Sequence, residues 1–116
     1  MQRCVEIRVY NLKPATRSEF HRLMRDAVPL QRRFGVDVVC YRASPHDADS
    51  YCLIRAYNDL ADHSRSQDSF YASADWRDGP RAAVLALIEN HASVVIELPE
   101  HAIDALRTTT PTEEHA

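Results

Sequence analysis

Apolar and polar residues alternate strictly in the opening stretch "VEIRVYNLKP". Val5, Ile7 and Val9 fall on one side of a strand and Glu6, Arg8 and Tyr10 on the other, because successive strand side chains point to opposite faces. Lys13-Pro14 breaks the ladder, and the period then changes. Phe20, Leu23, Met24, Ala27, Val28 and Phe34 recur at helical spacing, the signature of a buried helix face. Thr16 and Glu19 have capping-box spacing, Pro29 is expected to kink the helix, and Gly35 suits a left-handed exit. "VDVVCYRA" (36–43) reads as a second strand, and after the turn-rich "SPHDAD" (44–49) alternation returns in a third, "YCLIRAY" (51–57). Asn58 is placed to cap a second helix, "DLADHSRSQDSFY", and "ADWRDGP" forms a junction. Pro80 then opens the helix "PRAAVLALIENH", a favoured first-turn position for proline. "SVVIEL" (93–98) is a last strand, and residues 100–116 are polar and expected to be a mostly disordered tail.

The order β-α-β-β-(α-α)-β predicts an α+β, ferredoxin-like domain over residues 1–99, a four-stranded antiparallel sheet with helices on one face. The sets Val5/Ile7/Val9, Cys52/Ile54/Ala56 and Val94/Ile96/Leu98 are almost purely apolar, so they are expected to face the helices. The other face would carry Glu6, Arg8, Tyr10, Tyr51, Leu53, Arg55, Tyr57, Val95 and Glu97. It is too aromatic to stay wet and too charged for a plain core, so a second copy lying sheet-on-sheet is expected to cover it. Glu6, Arg8, Arg55 and Glu97 would then form a charge network that fixes the register of that dimer, since buried charges need partners.

Composition narrows the function classes. The chain of 116 residues suits one domain, and a net charge of -3 gives no basic field for nucleic acid. Lys13 is the only lysine among 14 basic residues, so rigid guanidinium forks are what the chain offers to an anion. No apolar signal core or membrane-length run is present, and a cytoplasmic protein without membrane partners is expected. The 3 cysteines, Cys4, Cys40 and Cys52, lie in apolar strands at wide spacing and read as small buried hydrophobes, with no disulfide framework. No cluster has zinc-ligand spacing, so no metal is expected. There is no nucleophile-elbow motif and no glycine-rich phosphate loop.

Three stretches in order, "VEIRVYNLKP", "AYNDLADH" and "ASADWRDGPRAAVLALI", resemble the NIPSNAP-like family of the dimeric α/β-barrel group over about residues 4 to 98. The shared features are a strand with Glu-x-Arg-x-Tyr and a Leu-Lys-Pro exit, a Tyr-x-x-Leu-Ala turn into a helix, and an Asp-x-x-Trp-like junction. The resemblance implies a ferredoxin-like protomer and a homodimer. Relatives in the wider group include cofactor-free monooxygenases of antibiotic pathways, lactone isomerases, polyketide cyclases and haem-degrading enzymes. Two departures bear on a pocket. The family often has Arg six residues after the Tyr of its Tyr-x-x-Leu-Ala turn, where this chain has His63, and Asp78-Gly79-Pro80 interrupts what is commonly one helix.

His63 shares the inner stripe of its helix with Leu60, Gln67, Phe70 and Tyr71, and histidine is the commonest acid–base group. It is the candidate proton carrier, with Arg55 or Arg8 as oxyanion partner and Tyr57 as hydrogen-bond donor. Tyr10, Tyr41, Tyr71 and Trp76, with Arg8, would line a pocket for a flat ligand. His21 and Arg25 are expected on a solvated helix face, and His91 at a helix end. The leading expectation is a cofactor-independent enzyme of secondary metabolism that isomerises, cyclises or assists oxygenation of an aromatic or polyketide-like molecule. The alternatives are a non-catalytic dimeric binding or accessory protein, and a haem protein with His63 as axial ligand.

Overall fold

The computed structural model describes residues 1–108, so the expectation for 109–116 lies outside the described residues. The elements are β1 (Gln2–Leu12), α1 (Arg17–Arg33), β2 (Asp37–Ala43), β3 (Ser50–Tyr57), α2 (Leu60–Ala72), α3 (Ala74–Arg77), α4 (Arg81–Ala86), β4 (Ile88–Pro99) and α5 (Glu100–Thr108). The four strands form one antiparallel sheet in the order β2-β3-β1-β4, the ferredoxin-like arrangement.

The helices α1 to α4 do not cover the face that its apolarity indicated. They pack on the face of Glu6, Arg8 and Tyr10. Its core joins Tyr10, Leu12, Tyr51, Leu53 and Tyr57 of the sheet to Phe20, Met24 and Val28 of α1, Phe70 of α2, Trp76 of α3 and Val84 of α4. The other face is the more apolar one, and much of it is open: Val9 is 46%, Val94 53% and Ile96 38% exposed. The physical reason is that α1 and α3 bring enough large apolar groups to fill one side, while the charged strand residues there satisfy one another.

α5 covers one end of the open face. Ile103 is fully buried against Val5, Val39 and Ala56, with Leu106 beside it. Arg107 donates two bonds of 2.7 Å to the Asp37 carboxylate, and Arg3 lies 3.1 Å from both Asp37 and Glu100. The expected polar tail therefore begins as a docked helix.

Several local expectations also change. Thr16 precedes α1 but its hydroxyl donates to the Lys13 carbonyl (2.7 Å) and makes no cap bond. Pro29 sits on the exposed side of α1, which continues through it to Arg33. Asp59, not Asn58, caps α2: its carboxylate accepts from the Asp62 amide, and the Asp62 carboxylate accepts from the amide of Asn58, the residue before the cap. The helix after Pro80 stops at Ala86. Asn90 and His91 instead pair with Asn11 and Tyr10, so His91 lies in a strand. The long free edge of β1 takes them up, and ladder pairing overrides helical propensity. Gly35 has φ +84°, the expected left-handed exit. At Gly79 a β-carbon would sit 2.3 Å from the Asp75 carbonyl oxygen, so only glycine permits this tight junction between α3 and α4.

Candidate active site

Strand alternation puts Glu6 and Arg8 on one face of β1, and the register sets Glu6 directly opposite Arg55 of β3. Residues four apart share a helix face, so α2 lays His63, Gln67 and Tyr71 along one line above them. Gln31 reaches in from α1. Glu6 and Arg55 are each only 1% exposed.

Glu6 is the centre of the group. Its Oε1 accepts from Arg55 Nε (3.0 Å), Arg55 Nη2 (2.7 Å) and Gln67 Nε2 (2.7 Å), and its Oε2 accepts from Arg8 Nη2 (2.9 Å). Arg55 Nη1 donates to Gln31 Oε1 and to the Tyr71 hydroxyl, both at 2.8 Å. Arg8 Nη1 reaches the same hydroxyl at 3.4 Å. Burial alone would push the Glu6 carboxyl up, but Arg55, Arg8 and the Gln67 amide together hold it below the ordinary 4.5. Burial opposes the charge on Arg55 as well, yet Tyr71 and Glu6 raise its pKa, and it stays a cation. Burial and then Tyr71 push the Tyr10 phenol up to about 12, and burial also raises Tyr57.

His63 stands at the edge of this group. Its Nε2 is 3.9 Å from Glu6 Oε1, its ring meets the Tyr57 ring edge-on at 4.8 Å, and its side chain is 20% exposed. Three buried polar atoms here have no hydrogen-bond partner among the described residues: Arg8 Nε, the Tyr57 hydroxyl and His63 Nε2. The open side lies toward β4, where Arg8 pairs with the exposed Ser93. A groove of about 390 Å³, lined by Arg3, Cys4, Asn58, Leu60 and Glu97, adjoins the group one same-face strand position before Glu6.

His63, Arg55, Tyr57, Arg8 and Tyr71 thus converge, with Tyr10 next along β1. Trp76 backs the group: its ring meets Tyr71 edge-on (5.5 Å) and Phe70 at a tilt (5.4 Å). Tyr41 belongs elsewhere, against His21 at 5.8 Å. Glu97 is exposed and outside the network, and the network itself lies under helices rather than on the open sheet face. His21 is buried, with its Nδ1 on the Tyr51 hydroxyl, so the expected solvated face is overturned: α1 turns that side toward the hairpin of β2 and β3. Gln31 was missed, although a glutamine three residues after Val28 on an apolar stripe was the signal.

Among the described residues no group of three or more His, Cys, Asp and Glu side chains is placed to hold a metal. Nε2 of His63 is buried and faces the Glu6 carboxylate, so an axial haem role would have to use Nδ1. No helix among the described residues is long and apolar enough to cross a membrane.

The NIPSNAP family model matches residues 5–99. No curated protein matches the chain. Among solved structures, a NIPSNAP family protein of Agrobacterium tumefaciens is similar with TM-score 0.78 at 16% identity, over 87% of this chain and 90% of that one. A NIPSNAP-like domain protein of Burkholderia xenovorans gives 0.75 at 23%, over 84% of each chain. A candidate antibiotic biosynthesis monooxygenase of Bacteroides thetaiotaomicron gives 0.65 at 15%, over 84% and 90%. At these identities the likeness is one of fold.

Proposed function

The chain belongs to the NIPSNAP family, and from that premise we propose that it is a cytoplasmic, cofactor-independent enzyme of secondary metabolism. It moves a proton on an aromatic or polyketide-like molecule and so isomerises it, cyclises it or prepares it for oxygenation. The observation that carries this reading is His63 Nε2, buried, without a hydrogen-bond partner and 3.9 Å from an ionised Glu6. Because Nε2 faces Glu6, the proton from carbon is taken at the other ring nitrogen, Nδ1; the imidazole then becomes a cation, and the carboxylate beside Nε2 stands ready to stabilise it.

The roles fall differently from those expected from sequence. Arg55 commits its donors to Glu6, Gln31 and Tyr71, so it holds the carboxylate in place instead of meeting substrate. Arg8, with its side chain 15% exposed and Nε without a partner, is the guanidinium for a developing oxyanion. The Tyr57 hydroxyl is the second donor. Tyr71, backed by Trp76, supplies the aromatic wall.

The test is solvent deuterium exchange into β-dicarbonyl carbon acids, followed by proton NMR. His63→Ala should slow protein-dependent exchange by about 100-fold, the scale of a lost acid–base group. Unchanged exchange in that variant, with ligand still bound, would instead establish a binding protein without a proton carrier.

The same proposal includes a homodimer. Val9, Val94 and Ile96 present apolar surface on the face that α1 to α4 leave uncovered, and a second copy placing the same patch against it would bury both. The two sites would then lie on the outer sides of the paired sheets.

A further inference from the structure

We infer that the group around Glu6 is built to take a small organic monoanion, with the substrate's carboxylate or enolate oxygens on Arg8 and Tyr57. The inference rests on reading this group as a substrate site, though not on proton transfer within it.

The first observation is the charge count. Arg8 and Arg55 bring two positive charges, and the one carboxylate among their described contacts is Glu6. The Glu6 carboxylate is fully ionised under their influence, so it cancels one charge and leaves the other. Gln31, Gln67 and Tyr71 are dipoles that fill the remaining positions around Arg55 and Glu6 without changing the total. A buried excess of one positive charge is unfavourable unless solvent or an anion meets it.

The second observation is where free donors remain. Arg55 is enclosed, whereas Arg8 keeps a buried Nε–H without a partner and borders the open side at Ser93. The Tyr57 hydroxyl, in a residue only 2% exposed, donates to no described group and stands beside His63, with the Gln67 amide as its polar neighbour. Both groups donate. A guanidinium donor and a phenol donor select an oxygen acceptor, and the surplus charge selects a negative one. Tyr71 beside Arg8 offers a ring face or edge to the apolar part of the same molecule. A neutral polyketide would leave the excess charge uncompensated.

The experiment compares carboxylates with their matched amides on the intact protein by calorimetry at fixed ionic strength. The set runs from acetate and acetamide to benzoate and benzamide and 2-naphthoate and 2-naphthamide. The expected result is that aromatic carboxylates bind at least about tenfold more tightly than their amides. Arg8→Gln should abolish that preference. Arg8→Lys should keep part of it, because the charge remains while the fork is lost, and it serves as the readout if Arg8→Gln melts early. Tyr57→Phe should weaken carboxylates a few-fold and amides less. If no carboxylate in the set binds better than its amide, or if the preference survives both Arg8 variants, the inference is overturned. Carboxylate preference without carbon exchange would keep the anion site and sink proton transfer. Exchange of neutral carbon acids without carboxylate preference would do the reverse.

Discussion

The two faces of the sheet invert the usual expectation. Under α1 to α4 lies the row Cys4, Glu6, Arg8, Tyr10, facing Tyr57, Arg55, Leu53, Tyr51: charged and phenolic residues apart from Cys4 and Leu53, nearly all buried. On the other side lie Val5, Ile7, Val9 with Ala56, Ile54, Cys52 and Ile96, Val94, Ala92, which are apolar and in good part exposed. What distinguishes the faces is completeness of pairing. Each oxygen of Glu6 is met by a cation, and Gln67 adds a donor to one of them. The cost of desolvating the ions is offset by those bonds, whereas an apolar face has no such constraint and can wait for a partner. On the proposed reading, buried polarity would mark the site and exposed apolarity would mark the interface.

Removing one ion from the covered face should have the largest effect. Arg55→Met leaves Glu6 buried with only Arg8 and Gln67, and a broken buried pair typically costs about 3–5 kcal/mol. Urea unfolding measures it. A loss under about 1 kcal/mol would mean that Glu6 is far better hydrated than its 1% exposure indicates. On the opposite face the matching test is apolar. Ile103→Ala removes the fully buried anchor of α5 and should cost about 2–5 kcal/mol, as such truncations do. A negligible loss would show that α5 is held by the Arg107–Asp37 pair and not by packing.

How much of this was legible follows from period and register. Alternation in "VEIRVY" and "YCLIRAY" placed the strands, and the β-α-β-β-α-β order placed them in one sheet. Which face meets the helices was not legible, because alternation labels two sides without orienting either. Hydrophobicity pointed the wrong way precisely where Glu6 and Arg55 neutralise each other. His63, Arg55, Tyr57 and Arg8 were found as polar residues at inward positions, and their convergence depended on cross-strand pairing. Glu6 was seen as an interface residue, since the fold decides what covers it. α5 escaped because Ile103 and Leu106 give only one helical step of apolar spacing. The end of α4 escaped because the demand of β1 for a partner lies far away in sequence.

A smaller effect should appear in acid. Glu6 has a folded pKa below its ordinary value, so its contribution is fully present above about 4.5 and is lost as pH falls through the folded value. Asp37, lowered first by its bonds to Arg107, acts with the same sign from the opposite face. Stability should therefore be flat from about pH 7 to 5 on this account and decline below that. In Arg55→Met, burial weighs more heavily on Glu6, so the decline should be shallower. An equally steep decline in that variant would assign the acid sensitivity to Asp37 and the α5 contact.

The smallest expected change in stability is on the open face, and it separates folding from association. Val94 is 53% exposed, so Val94→Lys should alter the unfolding free energy of the isolated protomer by no more than about 0.5 kcal/mol. Its ammonium would nevertheless enter a sheet-to-sheet contact made by this face, directly across from Ile7 on the neighbouring strand. Two copies related by a two-fold axis would each bring one charge into the same apolar layer, and a desolvated pair of like charges opposes association. Sedimentation should thus show a dimer for the parent chain and a folded monomer for the variant, with carboxylate binding retained because Arg8 and Tyr57 lie on the other side of the sheet. A parent chain that is monomeric at micromolar concentration would leave the apolar face as plain surface. A variant that loses carboxylate binding together with the dimer would mean that the two faces are coupled, and that the partner copy helps to form the site.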